Sequence, residues 1–174
     1  MLRRIAILGL GIVATATLAR AAEPKVGDPA PAFSLQGSDG KTHALADYKG
    51  KSAVVLAWFP KAGTPGCTKE CRSFAAAGDT LKDLKVAYFT ASVDEAGKNK
   101  EFAESVNADY PILSDPSKEV AKAYGVVHKG REVAERWTFY IDKEGIIRDI
   151  DKKVDVAKAA DGVAAKVKEL KLGQ

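Results

Sequence analysis

Ser52-Ala53-Val54-Val55-Leu56-Ala57-Trp58-Phe59 runs directly into Pro60-Lys61-Ala62-Gly63-Thr64-Pro65-Gly66-Cys67, and these adjoining segments decide how the chain is read. The first is almost wholly apolar, with no polar alternation. A strand of that kind is covered on both faces and therefore central in its sheet. The second carries turn residues and then Pro65, which is tolerated near a helix start. A helix is expected over 65–84, with Phe74, Leu81 and Leu84 on one face and Gly78 weakening its middle. Cys67 thus falls just past the carboxyl end of a central strand, where open α/β sheets place their ligand sites.

Working outward, Phe33-Ser34-Leu35 and Thr42-His43-Ala44 flank the turn residues Ser38-Asp39-Gly40 and read as a hairpin. Downstream, strands are expected over 86–93 and 111–113, with a helix over 98–106 between them. Asp115-Pro116 reads as a cap opening a helix through Val120 and Tyr124, which Gly125 ends. Strands over 137–141 and 146–150 surround the turn 142–145. Val156, Ala160, Val163, Val167 and Leu170 form the apolar stripe of a closing amphipathic helix. Alternating strands and helices followed by an antiparallel pair imply an α/β fold: a mixed sheet flanked by helices, with an N-terminal β-hairpin.

The 174 residues, 46% of them hydrophobic, suit one domain with a real core. The first 21 residues stand apart. Arg3-Arg4 precedes an uncharged, mostly apolar run over 5–19, and Ala19-Arg20-Ala21 supplies small residues where a signal peptidase reads. The run is short for a membrane span of about 20 residues. We read 1–21 as a cleavable secretory signal, 22–174 as the mature domain, and the destination as the periplasm or another extracytoplasmic space. The sequence around Arg3-Arg4 fits a twin-arginine signal poorly. Without Arg3, Arg4 and Arg20 the chain has 24 basic against 23 acidic side chains. That balance gives no electrostatic case for nucleic acid or for an anionic membrane. There is no G-x-G-x-x-G or Walker motif for a nucleotide.

The two cysteines are Cys67 and Cys71. In an exported protein a pair can be a structural disulfide, but a loop this small constrains the unfolded chain little. Chemistry explains the pair better. A free thiol ionises near pH 8.5, and the thiolate is the nucleophile. Cys67 lies in the first turn of its helix, where unpaired N–H groups and the helix dipole favour negative charge. Gly66 leaves room for close backbone approach, and Thr64 offers a hydroxyl.

Pro60-Lys61-Ala62-Gly63-Thr64-Pro65-Gly66-Cys67 resembles the peroxiredoxin active-site motif P-x-x-x-T-x-x-C. The wording Thr-Pro-Gly-Cys is most similar to the peroxiredoxin Q, or bacterioferritin-comigratory-protein, branch. Residues 27–33 resemble the family's opening, Leu113-Ser114-Asp115 its middle, and residues 136–142 its late Arg-bearing strand. The resemblance implies a thioredoxin-like fold and a thiol-dependent peroxidase that needs no cofactor or metal. It makes Cys67 the peroxidatic residue and Thr64 a contact for the peroxide. Pro60 becomes a shield from bulk solvent, and Arg136 a cation beside the sulfur. It also implies a hydroperoxide substrate, recycling by a thioredoxin-like protein, and a monomer. Cys71 takes the resolving role, as disulfide partner of Cys67. It follows Cys67 by four residues, where the branch usually has five, so Cys71 as a spectator stays open. On a helix that spacing puts both thiols on one face with Cα atoms about 6 Å apart, inside the disulfide range.

Two other functions share the fold. A thioredoxin-like disulfide reductase wants C-x-x-C and a Pro where Trp137 stands. A Sco-type copper protein uses C-x-x-x-C and a downstream His, for which His128 is the nominal ligand beside Cys67 and Cys71. Otherwise His43 and His128 read as surface residues, and Trp58 and Phe59 as core and pocket wall.

Overall fold

The structure is a computed structural model that describes residues 23–173. The proposed signal over 1–21 lies outside the described residues. Seven strands form one mixed sheet in the order β2-β1-β5-β4-β3-β6-β7. Strands β1 (Ser34–Gly37) and β2 (Thr42–Ala44) are the N-terminal hairpin, turning through the Gly37 amide bonded to the Lys41 carbonyl at 2.8 Å. The central strand is β3 (Val54–Trp58), parallel to β4 (Ala87–Ser92), which is in turn parallel to β5 (Ile112–Ser114). On its other side β3 pairs antiparallel with β6 (Thr138–Ile141), and β6 with β7 (Ile147–Asp151).

The unbroken apolar run of β3 has the expected cause. Successive strand side chains point to opposite faces, and both faces are covered. Val55, Ala57 and the following Phe59 pack under α1 (Pro65–Ala76), α2 (Gly78–Asp83), α3 (Ala96–Ser105) and α5 (Ala159–Glu169). Val54, Leu56 and Trp58 face Phe33, Phe89, Phe139 and Tyr124, the last just after α4 (Glu119–Ala123). Trp58 and Phe59 are both fully buried, as core residues should be.

Three local expectations shift. The helix over 65–84 is two helices, broken at Ala77 (φ −103°, ψ 14°). Gly78 follows the break, and a Cβ there would press on the Asp109 carboxylate, the movable end of a half-exposed side chain. Asp115-Pro116 does not open α4 directly. Lys118, in the left-handed region (φ 62°), precedes the helix, and the Asp115 carboxylate accepts from the Ala121 amide at 2.8 Å. His43 is not a plain surface residue. Its ring lies 5.1 Å from that of Phe89 and bridges the Tyr48 hydroxyl (3.2 Å) and the Asp39 carboxylate (3.1 Å).

Candidate active site

The backbone around Cys67 is set by the carboxyl ends of β3 and β4. Phe59 continues the β3 ladder by donating to the Ala91 carbonyl at 2.8 Å, and the chain then leaves the sheet at half-buried Pro60. Gly63, at φ +80°, makes a turn that L side chains resist. The Ala62 amide donates to the Asp94 carboxylate (2.8 Å), which also accepts from the Ser92 hydroxyl (3.0 Å) and pairs with Lys98. Asp94 thus ties the Cys67 loop to the end of β4.

Thr64 follows as the N-cap residue, with extended backbone (φ −82°, ψ 151°). Its hydroxyl does not cap the helix. It donates to the Lys61 carbonyl at 3.1 Å, which closes the loop on itself. Pro65 opens α1, and Gly66 and Cys67 complete its first turn. First-turn N–H groups have no acceptor within a helix and favour negative charge nearby. Gly66 is not forced by crowding, since a Cβ there would meet the Arg136 guanidinium at an ordinary 3.5 Å.

Antiparallel pairing brings Arg136 to this end of the sheet. Ala57 faces Thr138, and the Trp58 amide donates to the Trp137 carbonyl at 2.9 Å, so the residue before Trp137 lies beside the chain leaving β3. Arg136 Nη2 donates to Cys67 Sγ at 3.4 Å. Its Nη1 pairs with the Glu70 carboxylate, and Glu70 is 1% exposed. A carboxylate buried this far stays only because the guanidinium pairs with it. The pair also holds the guanidinium in place over the sulfur. Among the described residues, the second Glu70 oxygen has no hydrogen-bond partner.

Sequence reasoning missed Glu70. The signal was present: Cys67, Glu70, Cys71 and Phe74 are the buried positions of α1 at helical spacing, and one of them is a carboxylate.

Cys71 lies one turn beyond Cys67 on the same buried face, and both cysteines are free thiols. Burial pushes the Cys71 thiol up to about 12, with the nearby Tyr110 and Thr90 hydroxyls pulling against it. The Tyr110 hydroxyl donates to the Cys71 carbonyl at 3.0 Å. His128 is not brought to the thiols. It is exposed and its ring faces Glu135 at 3.3 Å. Among the described residues no three His, Cys, Asp or Glu side chains are grouped to hold a metal.

The arrangement holds a nucleophile against a fixed cation and a helix N-terminus, suited to stabilising negative charge as an oxygen–oxygen bond breaks. Residues 26–150 match the AhpC/TSA family. Peroxiredoxin Bcp of Bacillus subtilis is 36% identical over 153 residues, covering 84% of this chain and 95% of that protein. Among solved structures, peroxidoxin BcpB of Mycobacterium tuberculosis superposes with a TM-score of 0.75 at 30% identity, over 83% of this chain and 97% of that one. The bacterioferritin comigratory protein of Xanthomonas campestris, described by its alkyl peroxide reduction activity, gives 0.72 at 27% identity, over 79% and 90%. The thioredoxin-like sheet and these relatives place the chain in the AhpC/TSA family, among the peroxiredoxins, and make it a thiol-dependent peroxidase.

Proposed function

We propose that Cys67 is the peroxidatic residue and Cys71 its resolving partner. The observation that carries the assignment is the Arg136 guanidinium, donating to Cys67 Sγ at 3.4 Å and held there by buried Glu70. The Cys67 thiolate attacks the terminal oxygen of a hydroperoxide. The oxygen–oxygen bond breaks, and the leaving alkoxide or hydroxide takes a proton and departs as alcohol or water. Arg136 and the first-turn amides stabilise the charge that moves onto the leaving oxygen. Thr64, beside them at the N-cap, contacts the peroxide, and Pro60 shields the sulfur from bulk water. Full burial of Cys67 favours a small oxidant, hydrogen peroxide or a slender organic hydroperoxide.

Cys67 is then a sulfenic acid. The Cys71 sulfur displaces its hydroxyl, a disulfide forms, and the hydroxyl leaves as water with the Cys71 proton. A thioredoxin-like dithiol protein returns both thiols by exchange, its own dithiol becoming the disulfide. The protein works as a monomer outside the cytoplasm, after cleavage behind Ala21 leaves 22–174. The sequence over 1–21 supports export. The monomer is supported by the branch it resembles and by the surface, where Val26 is the large apolar side chain left exposed among the described residues.

Intact-mass analysis of secreted protein, before and after one equivalent of hydrogen peroxide, tests these steps together. The expected product has lost two hydrogens, mapped to a 67–71 bridge, and starts at residue 22. Cys71→Ser is expected to gain one oxygen, complete a single turnover and stop recycling with a dithiol protein. Unchanged multiple turnover by Cys71→Ser would remove Cys71 from the mechanism.

A further inference from the structure

The two cysteines cannot join while α1 stays intact. Residues four apart on a helix hold their Cβ atoms about 5–6 Å apart, whereas a disulfide needs roughly 3.5–4.5 Å. The helix must loosen between residues 67 and 71, and what holds each end sets how readily it does so. The Cys67 end is held by the Arg136–Glu70 pair. The Cys71 end is held from a different part of the chain. Tyr110, between α3 and β5, is 5% exposed, and its hydroxyl donates to the Cys71 carbonyl at 3.0 Å. Its ring packs on Phe74, three residues further along α1, at 5.9 Å, and on Tyr88 at 5.4 Å. Burial pushes the Tyr110 phenol well above its ordinary value, so it remains a neutral donor across the working range of pH.

We propose that Tyr110 is a positioning residue for the resolving step: by tethering the Cys71 carbonyl to the core it retards disulfide formation and sets how much sulfenic acid is lost to a second peroxide. This rests on the assignment of Cys67 and Cys71 above and adds the element that governs their partition. The sulfenic acid of Cys67 has two fates. Attack by Cys71 gives the disulfide and water. Attack on a second hydroperoxide gives the sulfinic acid, the added oxygen coming from the peroxide, which leaves as alcohol or water. A tether on Cys71 slows only the first route.

Tyr110→Phe removes the hydroxyl and keeps the ring. In rapid-quench mass analysis its 67–71 disulfide is expected to form roughly fivefold faster than in the wild type, the factor a typical hydrogen bond supports. The peroxide concentration that converts half the protein to sulfinic acid rises by a similar factor. The rate of the first oxidation of Cys67 stays unchanged. Tyr88→Phe is the control, because the buried Tyr88 hydroxyl has no hydrogen-bond partner among the described residues. It leaves the partition at the wild-type value. Equal partition in Tyr110→Phe and wild type, or an equal shift in Tyr88→Phe, overturns the tether while leaving the two cysteine roles standing. A wild type that forms no 67–71 disulfide at one equivalent of peroxide overturns those roles, and the tether with them.

Discussion

Cys67 and Cys71 share a helix, a face and complete burial, yet their surroundings give them opposite characters. Cys67 meets a cation, the Arg136 guanidinium, and the first-turn amides of α1. Cys71 has no cation beside it among the described residues, and burial, with Cys67 nearby, pushes its thiol up to about 12. Equal burial therefore leaves the two sulfurs with different neighbours, a cation for one and hydroxyls for the other. In the proposed mechanism the contrast divides the labour: one sulfur stands beside a fixed cation, and the other acts after the helix loosens.

The comparison breaks most sharply at Cys67 itself. Cys67→Ser is expected to lose peroxide consumption entirely, while Cys71→Ser keeps its first turnover. A steady-state peroxide assay with a dithiol protein reads both, and residual turnover by Cys67→Ser would reverse the roles of the two sulfurs. The next largest effect belongs to Arg136. Arg136→Ala should slow the first oxidation by roughly 10²–10³, the range seen when one donor to a developing anion is removed. It should also destabilise the fold by about 3–5 kcal/mol, because Glu70 is left buried without its partner. Arg136→Ala/Glu70→Ala separates the two effects. Stability, read by denaturant unfolding, recovers in the double variant, and the slow oxidation does not.

The fold was legible where its signal is local. The apolar run of β3, the motif from Pro60 to Cys67 and the closing stripe of α5 each declare themselves within a few turns or one strand. The order of elements followed from these. Arg136 was legible only through family resemblance, since one arginine before a strand has no period to mark it. What escaped is mostly what tertiary structure alone decides. The break at Ala77 falls beside Gly78, which packs close to Asp109 from beyond α3. Asp94 holds the Ala62 amide across 32 residues and Tyr110 holds the Cys71 carbonyl across 39. Such pairs leave no trace in spacing, because each partner lies in a segment whose own pattern is already explained. Glu70 is different. A carboxylate on an otherwise apolar stripe is a local conflict, and such a conflict marks a site where stability has been yielded to chemistry.

The smallest effect tests the Cys71 side through stability. In the unfolded chain its thiol titrates near the ordinary value of 9.0, and in the fold near 12. Between those limits the unfolded state loses the proton first and the folded state keeps it. The stabilisation from a protonated Cys71 is thus complete below about pH 9 and declines as pH rises toward 12. Reduced wild type should lose up to about 1.4 kcal/mol per pH unit in that window relative to Cys71→Ala. Tyr88 is also pushed up to about 12 by burial, but it titrates in both proteins and cancels in the difference. Urea unfolding of the two proteins under reducing conditions across this window gives the slope directly. Parallel curves would place Cys71 in water-like surroundings before oxidation, and the contrast between the two sulfurs would then rest on Arg136 alone.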